Sequence, residues 1–90
     1  MRLLRSSVTD FTVNVDQITS IYIMNGVKVE DNGSILADKS RSSLCCDLID
    51  GNTVYLACSN PETIRFYRYK LEEALVDLNG DKIIDIDNLV

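Results

Sequence analysis

The sequence predicts an α+β fold, an antiparallel β-meander of about five to six strands packed against one long C-terminal amphipathic helix. Three observations carry this. All four glycines follow Asn or Asp, at Asn25-Gly26, Asn32-Gly33, Asp50-Gly51 and Asn79-Gly80. Such pairs tolerate the positive φ that hairpin turns and helix ends require. The runs between the first three are short, apolar or alternating, and rich in β-branched or aromatic residues. Pro61 to Leu78, by contrast, repeats its apolar residues at helical spacing. The 90 residues make a single domain, 1–90, with a modest core and a small stability margin.

Taken in order, Arg2 to Ser6 is expected as an edge strand, and Phe11, Val13 and Val15 alternate onto one face of a second. Ser20 to Met24 runs into Asn25-Gly26 and returns through Val27 to Glu30; Asn32-Gly33 then turns the chain into Ser34 to Ala37. Lys39-Ser-Arg-Ser-Ser43 has no periodicity and reads as a polar loop. Leu44 to Ile49, the Asp50-Gly51 turn and Thr53 to Cys58 form the best-marked hairpin. Lys82 to Ile86 alternates weakly and suits a short final strand.

The helix begins at Asn60, a favourable N-cap, with Pro61 at the first helical position and Glu62 complementing the helix dipole. Ile64, Tyr67, Leu71, Ala74, Leu75 and Leu78 fall within a sector of about 100°, the width of a face packed on a sheet. Asn79-Gly80 is the expected stop. Opposite this face Phe66 and Tyr69 form a second stripe, continued by Val76 and interrupted by Glu73. An aromatic stripe away from the core is buried by a partner or a second copy of the chain, or covered by the tail or the 39–43 segment.

Composition excludes several classes. Net charge is −5, the wrong sign for a general nucleic-acid binder, which displaces counterions with Lys and Arg. Arg65, Arg68 and Lys70 interleave with Phe66, Tyr67 and Tyr69, so base stacking on that helix is an alternative. There is no histidine, so the commonest general base and the usual thiolate partner are both missing, and no catalytic residue is assigned. Cys45, Cys46 and Cys58 are odd in number and lack CxxC spacing, which reads as reduced small hydrophobes rather than a zinc site or a disulfide framework. The longest apolar runs, such as Ile21 to Met24, are too short to span a bilayer, and the N-terminus has no apolar stretch of signal-peptide length. The expected location is therefore the cytoplasm, or the host cytoplasm if the protein is phage-encoded.

Asp77, Asn79, Asp81 and Asp85 occupy positions 1, 3, 5 and 9 of a calcium-loop pattern, and the stretch resembles the loops of dockerin modules and EF-hands. Position 6, where the loop bends on Gly, is Lys82, and position 12, where a carboxylate closes the cage, is Asn88. The stretch reads first as the helix stop, with calcium binding as the alternative. Phe11-Thr-Val-Asn-Val-Asp-Gln-Ile-Thr-Ser-Ile21 resembles the opening of small flagellar FlbD-type proteins, and Leu48-Ile-Asp-Gly-Asn-Thr-Val-Tyr-Leu56 followed by Asn60-Pro-Glu62 resembles their strand–turn–strand and helix start. A similar layout opens LytTR-type DNA-binding domains. Residues 25–43 are additional to that pattern, and Val15 stands where it has Pro. The resemblance implies a small sheet-and-helix fold and a non-enzymatic motility accessory role. Together these readings predict a small non-enzymatic protein-interaction module, a bacterial accessory or regulatory factor or a phage-encoded inhibitor. It would use no cofactor and would bind a protein partner or self-associate through Phe66, Tyr69, Glu73 and Val76 or a sheet edge.

Overall fold

A computed structural model describes residues 1–7, 9–30, 34–76 and 82–89. The fold is α+β, and the described residues form six strands in two three-stranded sheets and one helix. The strands are β1 (Arg2–Ser6), β2 (Phe11–Asn14), β3 (Ile18–Val29), β4 (Ile35–Leu48), β5 (Thr53–Ser59) and β6 (Lys82–Asp85), and the helix α1 is Pro61–Leu75. Short 3-10 turns cover Val15–Gln17 and Ile86–Asn88.

The first sheet has the order β2-β1-β6, so Arg2–Ser6, expected at an edge, is instead the central strand because β6 pairs on its far side. β1 pairs antiparallel with β2, setting Leu4 against Val13, and parallel with β6, setting Leu4 against Ile84. The second sheet, β3-β4-β5, is the meander. The expected single meander is thus corrected to two sheets, and the helix is not C-terminal, because β6 follows it and returns to β1. Parallel pairing requires a long crossover, supplied here by everything from β2 to α1.

One cluster joins both sheets and the helix: Leu4, Val15, Ile84 and Ile86 from the first side meet Leu44, Cys46 and Leu56 of the second sheet and Ile64 and Leu71 of α1. Complete burial of a Leu or Ile side chain contributes about 1.5–3 kcal/mol, so this cluster is the main stabilising feature. Two polar ties reinforce it. Arg2 Nη1 donates to the carbonyl of Leu75 at 2.6 Å, and Asp87 accepts from Ser6 Oγ at 2.6 Å and from the Ser7 amide at 2.8 Å.

Two further expectations are corrected. Asn25-Gly26 is not a hairpin turn: β3 runs through it, with a register shift between Asn25 and Val27 and Gly26 at φ +72°. A glycine bulge and a hairpin turn both call for a left-handed residue, so the local signal is the same. The chain reverses instead between Val29 and Ile35, where the Glu30 amide donates to the Ser34 carbonyl at 2.8 Å; Asn32-Gly33 lies outside the described residues. Residues 39–43, expected as a loop, fall within the span of β4: 38–41 have no partner on either neighbouring strand and stand opposite Gly26, whereas Ser42 and Ser43 are paired on both sides. Ser42 and Ser43 are completely buried there, their hydroxyls donating to Asn25 Oδ1 at 2.9 Å and to the Val27 carbonyl at 3.4 Å.

The Asp50-Gly51 hairpin forms as expected. Gly51 has φ +89°, the Leu48 amide donates to Asn52 O at 2.9 Å, and Asp50 Oδ1 accepts from the Asn52 amide at 2.9 Å. β6 bears out the short final strand. No helix among the described residues is long and apolar enough to cross a membrane.

Candidate functional site

The helix start sets which way each side chain of α1 faces. Asn60 Oδ1 accepts from the Thr63 amide at 2.9 Å and Pro61 follows at the first position. From that start Ile64 and Leu71 fall inward and are fully buried, with Tyr67, Ala74 and Leu75 packed beside them. Phe66 and Tyr69 fall outward, 46% and 56% exposed, and Val76 at the helix end is 75% exposed. These side chains are exposed on the outer side of α1, and residues 39–43 lie in β4. α1 spans Pro61–Leu75 with Val76 as cap; Leu78 and the predicted stop at Asn79-Gly80 lie outside the described residues.

Charges of both signs frame the aromatics. Lys70 Nζ sits 5.5 Å from the Phe66 ring centroid and 3.7 Å from Glu73 Oε2. Glu73, hydrogen-bonded to Tyr69, holds that phenol above its usual range. Glu73 does not merely interrupt the stripe: it ties Tyr69 and Lys70 together. A shallow depression lined by Glu62, Arg65, Phe66 and Tyr69 lies along the first half of the helix.

The alternatives meet different geometry. Of the three cations proposed for nucleic acid, Arg68 is 3.0 Å from Glu72 and Lys70 is held by Glu73, which leaves little uncompensated positive charge on α1. Asp77, Asn79 and Asp81 lie outside the described residues. Asp85 caps the last turn, accepting from the Asp87 amide at 3.1 Å, and is 3.8 Å from Arg5 Nε. Among the described residues no group of three or more His, Cys, Asp or Glu is arranged to hold a metal ion. Cys45 and Cys46 are fully buried, and burial pushes their thiols up to about 12 and about 11. That is the direction of inert structural thiols, whereas nucleophilic ones are depressed. Cys58 is half-buried.

Sequence reasoning missed one cluster. On the sheet face away from the core, Asp47 accepts from Thr53 Oγ1 at 2.9 Å, Tyr22 OH at 3.0 Å and Ser20 Oγ at 3.3 Å. The Thr53 and Tyr22 hydrogen bonds hold the Asp47 carboxyl below its usual range, and the same carboxylate raises the Tyr22 phenol. The available signal was a lone acid between Cys46 and Leu48 in an apolar run. Every oxygen there has a local partner, and the arrangement reads as a cross-strand clasp.

Fold and surface together define a small α+β domain with an amphipathic helix whose outer face carries exposed aromatics. No protein-family model, no curated protein and no solved structure matches the chain.

Proposed function

We propose that this protein is a small non-enzymatic interaction module that binds a protein partner, or a second copy of itself, through the outer face of α1. The observation that carries the reading is the pairing of Phe66 and Tyr69, about half exposed on a helix whose other face is fully committed to the core. Aromatic residues rimmed by charge are typical anchors of protein interfaces, where they bury much apolar area at little conformational cost. The raised thiols and the lack of histidine favour binding over catalysis. A bacterial accessory or regulatory factor, or a phage-encoded inhibitor, fits this role in the cytoplasm of the cell or host. The FlbD-type resemblance makes a motility factor one case of it.

The test compares wild type with the double variant Phe66→Glu/Tyr69→Glu, by sedimentation velocity and by affinity capture from a bacterial extract with mass-spectrometric readout. Both substitutions lie at exposed positions, so the variant is expected to keep its circular dichroism spectrum. Self-association, or retention of a specific protein, is expected for wild type and lost in the variant. A monomeric wild type whose captured proteins match those of the variant would refute the reading.

A further inference from the structure

Among the described residues β5 is the end strand of its sheet, with β4 on one side and no strand on the other. An edge strand presents a row of unpaired backbone donors and acceptors, and folded proteins usually guard it with charge, proline, short length or irregularity. The other edges of this fold are guarded in those ways. β2 has four residues, β6 has four with Lys82 and Asp85 at its ends, and β3 has Lys28 and two register shifts. β5 runs seven residues, Thr53-Val-Tyr-Leu-Ala-Cys-Ser59, without a charge or a proline. Its one irregularity is the extra residue Leu56, opposite the step from Leu44 to Cys45, and that side chain is buried in the core.

A trench runs beside this edge. One cavity of about 600 Å³ is walled by Val54, Tyr55, Ala57 and Cys58 on the β5 side and by Asp10 and Phe11 on the other, with Val29 and Glu30 also lining it. A second of about 440 Å³ shares Thr9, Val29, Ala57 and Cys58 with the first and continues to Ser59 and Thr63 at the start of α1. Successive side chains of a strand point to opposite faces, so a hollow lined by Val54 with Tyr55 and by Ala57 with Cys58 follows the strand's edge rather than one face.

We propose that this trench receives one extended segment of a protein partner, which adds as a strand alongside β5. The edge itself selects the occupant: backbone N–H and C=O groups repeating at strand spacing are matched by another extended backbone. A segment of four or five residues, rising about 3.3 Å each, spans roughly 15 Å. A second copy of this chain does not fit. The β5 edge is recessed behind Thr9 to Phe11 and Val29 to Glu30, so two such edges are held apart by their own walls, whereas a free extended segment enters. Charge differs along the trench: among the described residues the larger cavity is lined by Asp10 and Glu30, with Lys28 3.9 Å from Glu30, while the second cavity is lined by Lys28, Arg41 and Asp87, which leaves Asp10 as the acid at the first end. The fitting segment therefore carries a Lys or Arg beside the exposed Asp10 and small or β-branched side chains along β5. This surface is distinct from the Phe66–Tyr69 face, so the two proposals stand or fall separately.

The test pans a cysteine-free random peptide library on the wild-type protein and reads occupancy through alkylation of Cys58 by iodoacetamide. Cys58 lines both cavities and is half-buried, while Cys45 and Cys46 are buried. Enriched peptides are expected to contain β-branched residues and a Lys or Arg, with no central proline. They should slow Cys58 alkylation in proportion to occupancy and bind the Phe66→Glu/Tyr69→Glu variant as tightly as wild type. Methylating alternate backbone nitrogens should weaken them about tenfold or more, the worth of one or two lost ladder hydrogen bonds. The proposal is overturned if nothing is enriched, if alkylation of Cys58 is unchanged, or if N-methylation has no effect. Peptides lost on the double variant would support the helix-face reading and sink this one. Protection of Cys58 that grows with protein concentration alone would make a second copy the occupant and would also overturn it.

Discussion

Replacing Leu4 by Ala tests whether the two sheets share one core. Leu4 is fully buried at the centre of β1, with Val13 beside it on β2 and Ile84 on β6. It belongs to the same cluster as Leu44 and Leu56 of the other sheet and Ile64 and Leu71 of α1. The substitution removes three carbons, a transfer loss of about 2.4 kcal/mol at about 0.8 kcal/mol per buried methylene. β1 is flanked by strands on both sides and cannot collapse into the space, so a cavity cost adds and the expected total is about 3–4 kcal/mol. A domain of this length is stable by roughly 4–13 kcal/mol, so the loss is a large share of the whole. With an unfolding entropy of about 2.1 cal/mol/K per residue, the melting temperature should fall by about 15–20 °C. Thermal and urea unfolding followed in parallel by far-ultraviolet circular dichroism and tyrosine fluorescence should give coincident single transitions for both proteins. A loss below about 1 kcal/mol would refute the shared core, since a buried leucine there must cost more. So would a split transition leaving the β3–β5 meander and α1 folded.

Three other outcomes are expected. Under native conditions one thiol, Cys58, should react readily with a disulfide reagent while Cys45 and Cys46, raised to about 12 and about 11 by burial, react only on unfolding; two or three fast thiols would contradict their burial. Asp47 is depressed in the fold, so its contribution is present above the unfolded carboxylate value of about 3.9 and is lost as pH falls through the lower folded value. Tyr22 is raised, so its contribution is complete below the unfolded phenol value of about 10 and is lost as pH rises through the folded value. NMR titration of Thr53→Val should show the Asp47 carboxyl moving back up, and an unmoved titration would break the clasp argument. Finally, millimolar calcium should leave the melting temperature unchanged, because Lys82 and Asn88 replace the bend and the closing carboxylate of a calcium loop. A clear rise would restore Asp77, Asn79, Asp81 and Asp85 as ligands.

How far the fold was legible depended on the range of the interaction concerned. Asn60-Pro61 and Asp50-Gly51 act within a few residues, and both do in the structure what their chemistry predicts. Gly26 was misread because its left-handed backbone serves a bulge as well as a turn, and strand pairing over the rest of β3 decides between them. Ser42 and Ser43 were misread because serine marks a loop only when water solvates it; Asn25 and the Val27 carbonyl, sixteen or more positions away, do so instead. The outward face of α1 was legible because helical periodicity places Phe66 and Tyr69 opposite Ile64 and Leu71. The trench was not, because nothing local says which strand ends a sheet.

The sequence by itself determined the elements that local chemistry controls: the capped helix, its two faces, the Asp50-Gly51 hairpin and the strand character of most apolar runs. Only the tertiary structure decided the partners. β6 lies parallel to β1, pairing Arg2 with Lys82 and Leu4 with Ile84, and so splits the expected meander into two sheets around one core. That choice left β5 as an open edge beside a trench. Caps and turns are set by hydrogen bonds a few residues long, whereas strand order is set by which distant apolar faces bury one another. The energy that decides it appears only when residues some eighty positions apart are brought together.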